Sequence, residues 1–178
     1  MPMHRNVKAT LSINMKKKLE NIDFVVQTRQ QGKLSQKIAD RYPNLPNDYL
    51  TFLTDLEYCV TKDEKSWFNT IGDFNGTTDI GFRWNEFELM VLEDYDDETD
   101  EDAKLVIEFW NHHIPFLMSC KNYYCYFAIC LHTDNYGEIV YGNEPEFEET
   151  ETIATDFVAF MTKLTTKTLD KKYLEQIV

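Results

Sequence analysis

The side chains best able to do chemistry in this chain are carboxylates, four cysteines and one histidine pair. Acids crowd positions 93–102: Glu93, Asp94, Asp96, Asp97, Glu98, Asp100, Glu101 and Asp102. A calcium loop begun at Asp94 would place Asp94, Asp96 and Glu98 correctly. It would also need glycine at its sixth position and a bidentate glutamate at its twelfth. Thr99 and Leu105 stand there instead, and a loop begun at Asp73 fails in the same way on Thr78 and Trp84. Zinc asks for thiolate or imidazole ligands at close spacing. Cys120, Cys125 and Cys130 are five apart, so on a strand neighbouring members face opposite ways. With Cys59 they are expected to be reduced thiols, mostly buried. His112 and His113 are adjacent and cannot easily converge on one ion. Their expected role is to complement the negative end of a helix. A general-acid pair of carboxylates needs a pocket that raises one pKa, and nothing in the spacing provides one. No Gly-x-Ser-x-Gly elbow and no phosphate loop occurs. The expectation is a protein with no catalytic residues, no metal and no cofactor.

The elements that carry these groups follow from apolar spacing. Met15, Leu19, Ile22 and Val26 form one helical stripe, so residues 1–41 are expected to be helical, interrupted at Gly32, with a shorter helix over 34–41. Pro46 suits a first helical turn and Asp48 the positive end of its dipole. Tyr49, Phe52, Leu53 and Leu56 then follow at helical spacing. Residues 66–71 are expected to form a strand, 72–78 a turn, and Ile80, Phe82 and Trp84 a second strand. Residues 86–92 fit either helix or strand. The 93–102 run repels itself and belongs in a solvated loop. Its last acids lead into Ala103, Val106, Ile107 and Trp110, a helix. Residues 123–132 are apolar on both faces, as a central strand must be. Asn135-Tyr136-Gly137 turns the chain back into a strand over 138–142. A last helix is expected from about Thr152, with core residues Ile153, Phe157, Phe160, Met161 and Leu164. This order predicts a single α+β domain with a mostly antiparallel central sheet flanked by helices.

Charge narrows the class of partner. Residues 1–41 carry 9 Lys/Arg against 3 Asp/Glu, residues 42–156 carry 5 against 26, and residues 157–178 carry 4 against 2. A field this negative over the middle of the chain repels nucleic acid and anionic membranes and draws basic proteins. The 178 residues are enough for one self-supporting core. The first residues lack the apolar run of a secretory signal, and no apolar stretch approaches membrane-spanning length. A cytoplasmic protein is expected.

Several motifs in fixed order resemble the SUKH superfamily. Leu45-Pro46-Asn47-Asp48-Tyr49-Leu50-Thr51-Phe52-Leu53 resembles its first core helix, and Ile114-Pro115-Phe116 the segment before its central strand. Gly137-Glu138-Ile139-Val140-Tyr141 resembles its return strand, and Ile153-Ala154-Thr155-Asp156-Phe157-Val158-Ala159-Phe160-Met161 its closing helix. Lys121-Asn122 and Asn143-Glu144 depart from the residues the family often has at those places. The resemblance implies a SUKH-like core over 45–164, preceded by an N-terminal helical segment over 1–44 and followed by a tail over 165–178. It also implies an immunity protein that neutralises a cognate bacterial toxin domain, often a nuclease, or else a regulatory scaffold of the cell-wall-regulator type. The expected partner is a basic toxin domain or another protein, met by Asp94, Asp96, Asp97, Asp100, Glu146, Glu148 and Glu149. A hydrolase using clustered carboxylates or His112 and His113 is the third reading. It needs an enclosing pocket.

Overall fold

Aromatic and β-branched residues lie wherever the chain extends, and seven strands result among the residues described. The computed structural model describes residues 7–79, 81–96 and 99–178, with side chains from position 13 onward. A helix α1 (Val7–Glu20) turns tightly into β1 (Phe24–Thr28). Next come α2 (Gln36–Arg41), α3 (Asn47–Asp55), β2 (Leu56–Thr61), β3 (Ser66–Phe68) and α4 (Ile71–Asn75). An excursion of two helices follows, α5 (Glu86–Leu92) and α6 (Glu101–Asn111). The chain then adds β4 (His113–Ser119), β5 (Cys125–Cys130), β6 (Ile139–Asn143), β7 (Glu151–Ala154), α7 (Phe157–Thr165) and α8 (Lys171–Leu174). The strands pair in sequence order, antiparallel throughout.

Both faces of the sheet are used. Phe68, Phe116, Phe127, Ile129 and Tyr141 point into one core with Leu19 of α1, Tyr49 and Leu53 of α3, and Phe160, Met161 and Leu164 of α7. Met118, Tyr126, Ala128 and Val140 point the other way, under Phe87 of α5, Val106 and Trp110 of α6, and Phe147. β5 is buried along its whole length because both of its faces are covered. The second face continues outward as a cross-strand row, Gly142, Tyr126, Met118, Trp67, Val60 and Val25. At the β1–β2 end that row runs out from under the helices, and Val25 and Tyr58 are exposed.

Five expectations are corrected. Val26 is not on a helix: the chain turns at Asn21–Asp23, with Asp23 at φ 72°, and Phe24-Val25-Val26 extends as β1. Leu56 completes the α3 spacing but opens β2, a strand the spacing concealed. Ile71 starts a helix, not the end of a strand, because Thr70 and Asp73 form a capping box. Phe82 and Trp84 belong to no strand. Phe82 packs on Trp67, and Trp84 on Phe74 and Tyr42; Ile80 lies outside the described residues. The last helix begins at Phe157, capped by Asp156, whose carboxylate accepts from Ala159 N at 2.8 Å. Residues 151–154 form the edge strand β7 instead. Residues 86–92, ambiguous by spacing, are helical.

The last residues pack into the core. Leu169 and Ile177 are buried, and Gln176 O accepts from Ser119 Oγ at 2.5 Å and from Ser66 Oγ at 3.3 Å.

A candidate acidic protein-binding face

Asp100 caps α6, its carboxylate accepting from Asp102 N at 2.8 Å. The acids at the end of the run are therefore spent partly on starting a helix, as their position before an apolar periodicity foretold. α6 buries Ala103, Val106 and Trp110 against the sheet and leaves Asp100, Glu101 and Asp102 in solvent. The preceding α5 buries Phe87 and Glu88. Glu88 is held by Arg41 of α2 through two bonds of 2.7 and 3.0 Å, and Arg41 Nε also donates to Asn111 Oδ1 of α6 at 3.0 Å. One guanidinium thus ties α2, α5 and α6 together. It also lies over the rings of Tyr42 and Trp84.

A second acid run, Glu144, Glu146, Glu148 and Glu149, is fixed to the same layer. Phe147 stacks on Phe87 at 4.5 Å, its carbonyl accepts from Tyr126 Oη, and Trp110 Nε1 donates to Glu148 at 2.9 Å. These contacts bring residues 144–149 beside the α5–α6 connection. Tyr95, in that connection, sits where the two runs meet. Partial desolvation, and then the fields of Asp102, Asp100, Glu148 and Asp94, raise its phenol above the usual value. The half-covered Tyr95 ring packs against the Phe87–Trp110–Phe147 cluster, in the field of three acids of the first run and of Glu148 alone from the second.

Of the seven residues expected to meet a partner, Asp94, Asp96, Asp100, Glu146 and Glu149 are exposed. Asp97 lies outside the described residues. Glu148 is only partly exposed, and burial raises its carboxyl above the ordinary value even though the Trp110 bond acts the other way. Its geometry holds the 144–149 segment in place. Spacing gave Tyr95 no role, placed Trp110 on a helix without marking its indole N–H, and passed over Arg41. The last two act through contacts 38 and 47 residues away along the chain.

The other candidate groups are occupied structurally. His112 ends α6 with Nδ1 3.0 Å from Glu108 O. His113 opens β4, stacks on Phe109 at 4.0 Å, and is held below the usual imidazole value mainly by burial. Cys59, Cys125 and Cys130 are buried free thiols, Cys125 pushed up to about 12, while Cys120 is exposed. Among the described residues no three His, Cys, Asp or Glu side chains could hold a metal ion. A groove of about 270 Å³ lies between α1, α3 and α7, lined by Met15, Leu19, Phe52, Phe157 and Met161. None of the acids of the two runs lines it.

The profile of the SMI1 / KNR4 family (SUKH-1) matches residues 36–163, well over half of the chain. This chain belongs to that family. The match runs from the first residue of α2 to near the end of α7. It takes in both halves of the acidic layer and leaves α1, β1 and α8 outside. SUKH domains act in protein–protein interactions, and the family covers both immunity proteins and Knr4-type regulators. No curated protein and no solved structure matches the chain. No helix among the described residues is long and apolar enough to cross a membrane.

Proposed function

We propose that this SUKH-1 domain is a cytoplasmic immunity-type inhibitor. It binds the basic cleft of a cognate toxin domain, of the kind that handles nucleic acid, and blocks it without catalysing a reaction. The observation that supports this reading is that both sets of acids stand on one packed layer, pinned by Arg41, Phe147 and Trp110. Carboxylates held on a packed layer keep their field fixed in direction, which speeds the encounter with a positively charged surface. Asp94, Asp96, Asp100, Glu146 and Glu149 supply the steering charge. Tyr95 supplies the amphipathic ring that becomes desolvated on docking. Glu148 positions its neighbours.

The test is co-expression with the product of the neighbouring gene, scored for rescue from toxicity. Growth rescue is expected. The variant Asp94→Lys/Asp96→Lys/Glu146→Lys should associate with the purified toxin domain roughly tenfold or more slowly at low salt. Its thermal stability should stay within about 0.5 kcal/mol of the parent, because the altered side chains are exposed. Absence of rescue, or an association rate flat across the salt range, would turn the assignment toward the Knr4-type regulators of the family.

A further inference from the structure

Strand β1 is an open edge whose free hydrogen-bonding groups can be identified. Asp23 O accepts from Lys62 N and Arg29 N donates to Asp55 O, both at 2.9 Å. The odd-numbered residues between them therefore bond to β2, and the N–H and C=O groups of Phe24, Val26 and Thr28 point away. The register shift after Gln27 places the extra residue, Glu57, on β2, so β1 itself stays regular. No strand among the described residues pairs with the outer side of β1. Proteins usually guard such an edge with lysine, proline or an inward charge, and Phe24-Val25-Val26-Gln27-Thr28 has none. The other edge differs. β7 has 4 residues and starts at Glu151, whose carboxylate is engaged by Lys172 and Tyr173, each at 2.8 Å. Next to the β1 edge, Val25 and Tyr58 are 43% and 37% exposed.

We propose that β1 pairs antiparallel with β1 of a second copy of this chain, about a two-fold axis through Val26, so that the two sheets become one. A single register uses all the outward groups: Val26 faces Val26, and Phe24 faces Thr28 of the second copy. That register sets Val25 opposite Gln27 and, one step beyond the strand ends, Asp23 opposite Arg29 of the second copy. Arg29 makes no ion pair among the described residues. Asp23 already holds Lys62 at 2.8 Å, so Arg29 of the second copy joins that pair, and does so twice by symmetry. A slip by two residues leaves an outward residue unpaired at each end and parts Asp23 from Arg29. The axis stands perpendicular to the sheet, so the α5–α6 layers of both copies lie on the same side.

Sedimentation velocity on the full chain should show a monomer–dimer equilibrium. Hydrogen exchange should show protection of the Phe24, Val26 and Thr28 amides that rises with protein concentration. Arg29→Glu should weaken the dimer roughly tenfold, since two attractions become repulsions. Adding Asp23→Asn, which tolerates the same left-handed backbone, should recover about half of the loss, since it removes the repulsion without restoring the attraction. The proposal is overturned by a monomer at all concentrations up to about 1 mM. It is equally overturned by edge protection independent of concentration, or by a dimer indifferent to Arg29→Glu.

Discussion

Gly142 of β6 sits directly opposite Tyr126 of β5, and a Cβ built on it would fall 2.5 Å from the tyrosine hydroxyl and ring. The missing side chain is what lets the Tyr126 ring lie across β6 and reach the Phe147 carbonyl. Gly142→Ala should therefore cost about 1–3 kcal/mol in denaturant unfolding. It should also raise hydrogen exchange through 144–149, because the carbonyl anchor is displaced. Glu148 carries a prediction in pH. Burial favours its neutral form, so the folded chain holds this proton to higher pH than the unfolded chain does. The stability linked to it is fully present below the ordinary glutamate value and is lost as pH rises through the raised one. Glu148→Gln keeps an acceptor for Trp110 and has no charge to bury. Its melting temperature should exceed the parent's by a margin that opens from about pH 4 upward. A margin that stays constant over that range would contradict this account. The acids themselves could be counted along the chain. The half-burial of one of them could not, because it arises from a tryptophan 38 residues away.

Arg41 joins three helices, and its partner Glu88 has a side chain only 6% exposed. Removing one member of a buried pair strands the other charge. Arg41→Met should destabilise the domain by about 3–5 kcal/mol, and Arg41→Met/Glu88→Met by clearly less. Chemical denaturation of the two variants measures the difference. The elements that spacing revealed are those whose faces are decided locally. α3 and α6 have full apolar stripes, and β5 is apolar on both sides because two layers cover it. The concealed strands are β1, β2 and β7, at or near the two sheet edges, and β4, at the centre beside β5. Their extension is fixed by pairing partners distant in sequence, which overrides weak local preference. Leu56 shows how: it satisfies the α3 period and yet begins β2. The acid-bearing loop was legible for the opposite reason, since a dense run of like charge has no packed alternative. That its neighbour would be the 144–149 segment depends on the Phe87–Phe147 stack, a contact across 60 residues that no spacing announces.

Across the whole molecule, the dense acid runs gather on one layer. α1, with Lys16, Lys17 and Lys18, and α7, with Lys163, share one face of the sheet. The acids of the α5–α6 connection and of 144–149 lie on the other. If this layer guides recognition, the association rate with a basic domain should fall steeply between low and physiological salt, as the screening length shrinks from about 30 Å to about 8 Å. The dissociation rate should change little, which stopped-flow mixing at several ionic strengths can separate. Sorting of this kind has a mechanical consequence. A body whose negative charge is gathered on one side of its sheet carries a permanent electric moment across its thickness. Any cationic surface that comes within the screening length exerts a torque on it, turning the carboxylate side forward before the two molecules touch.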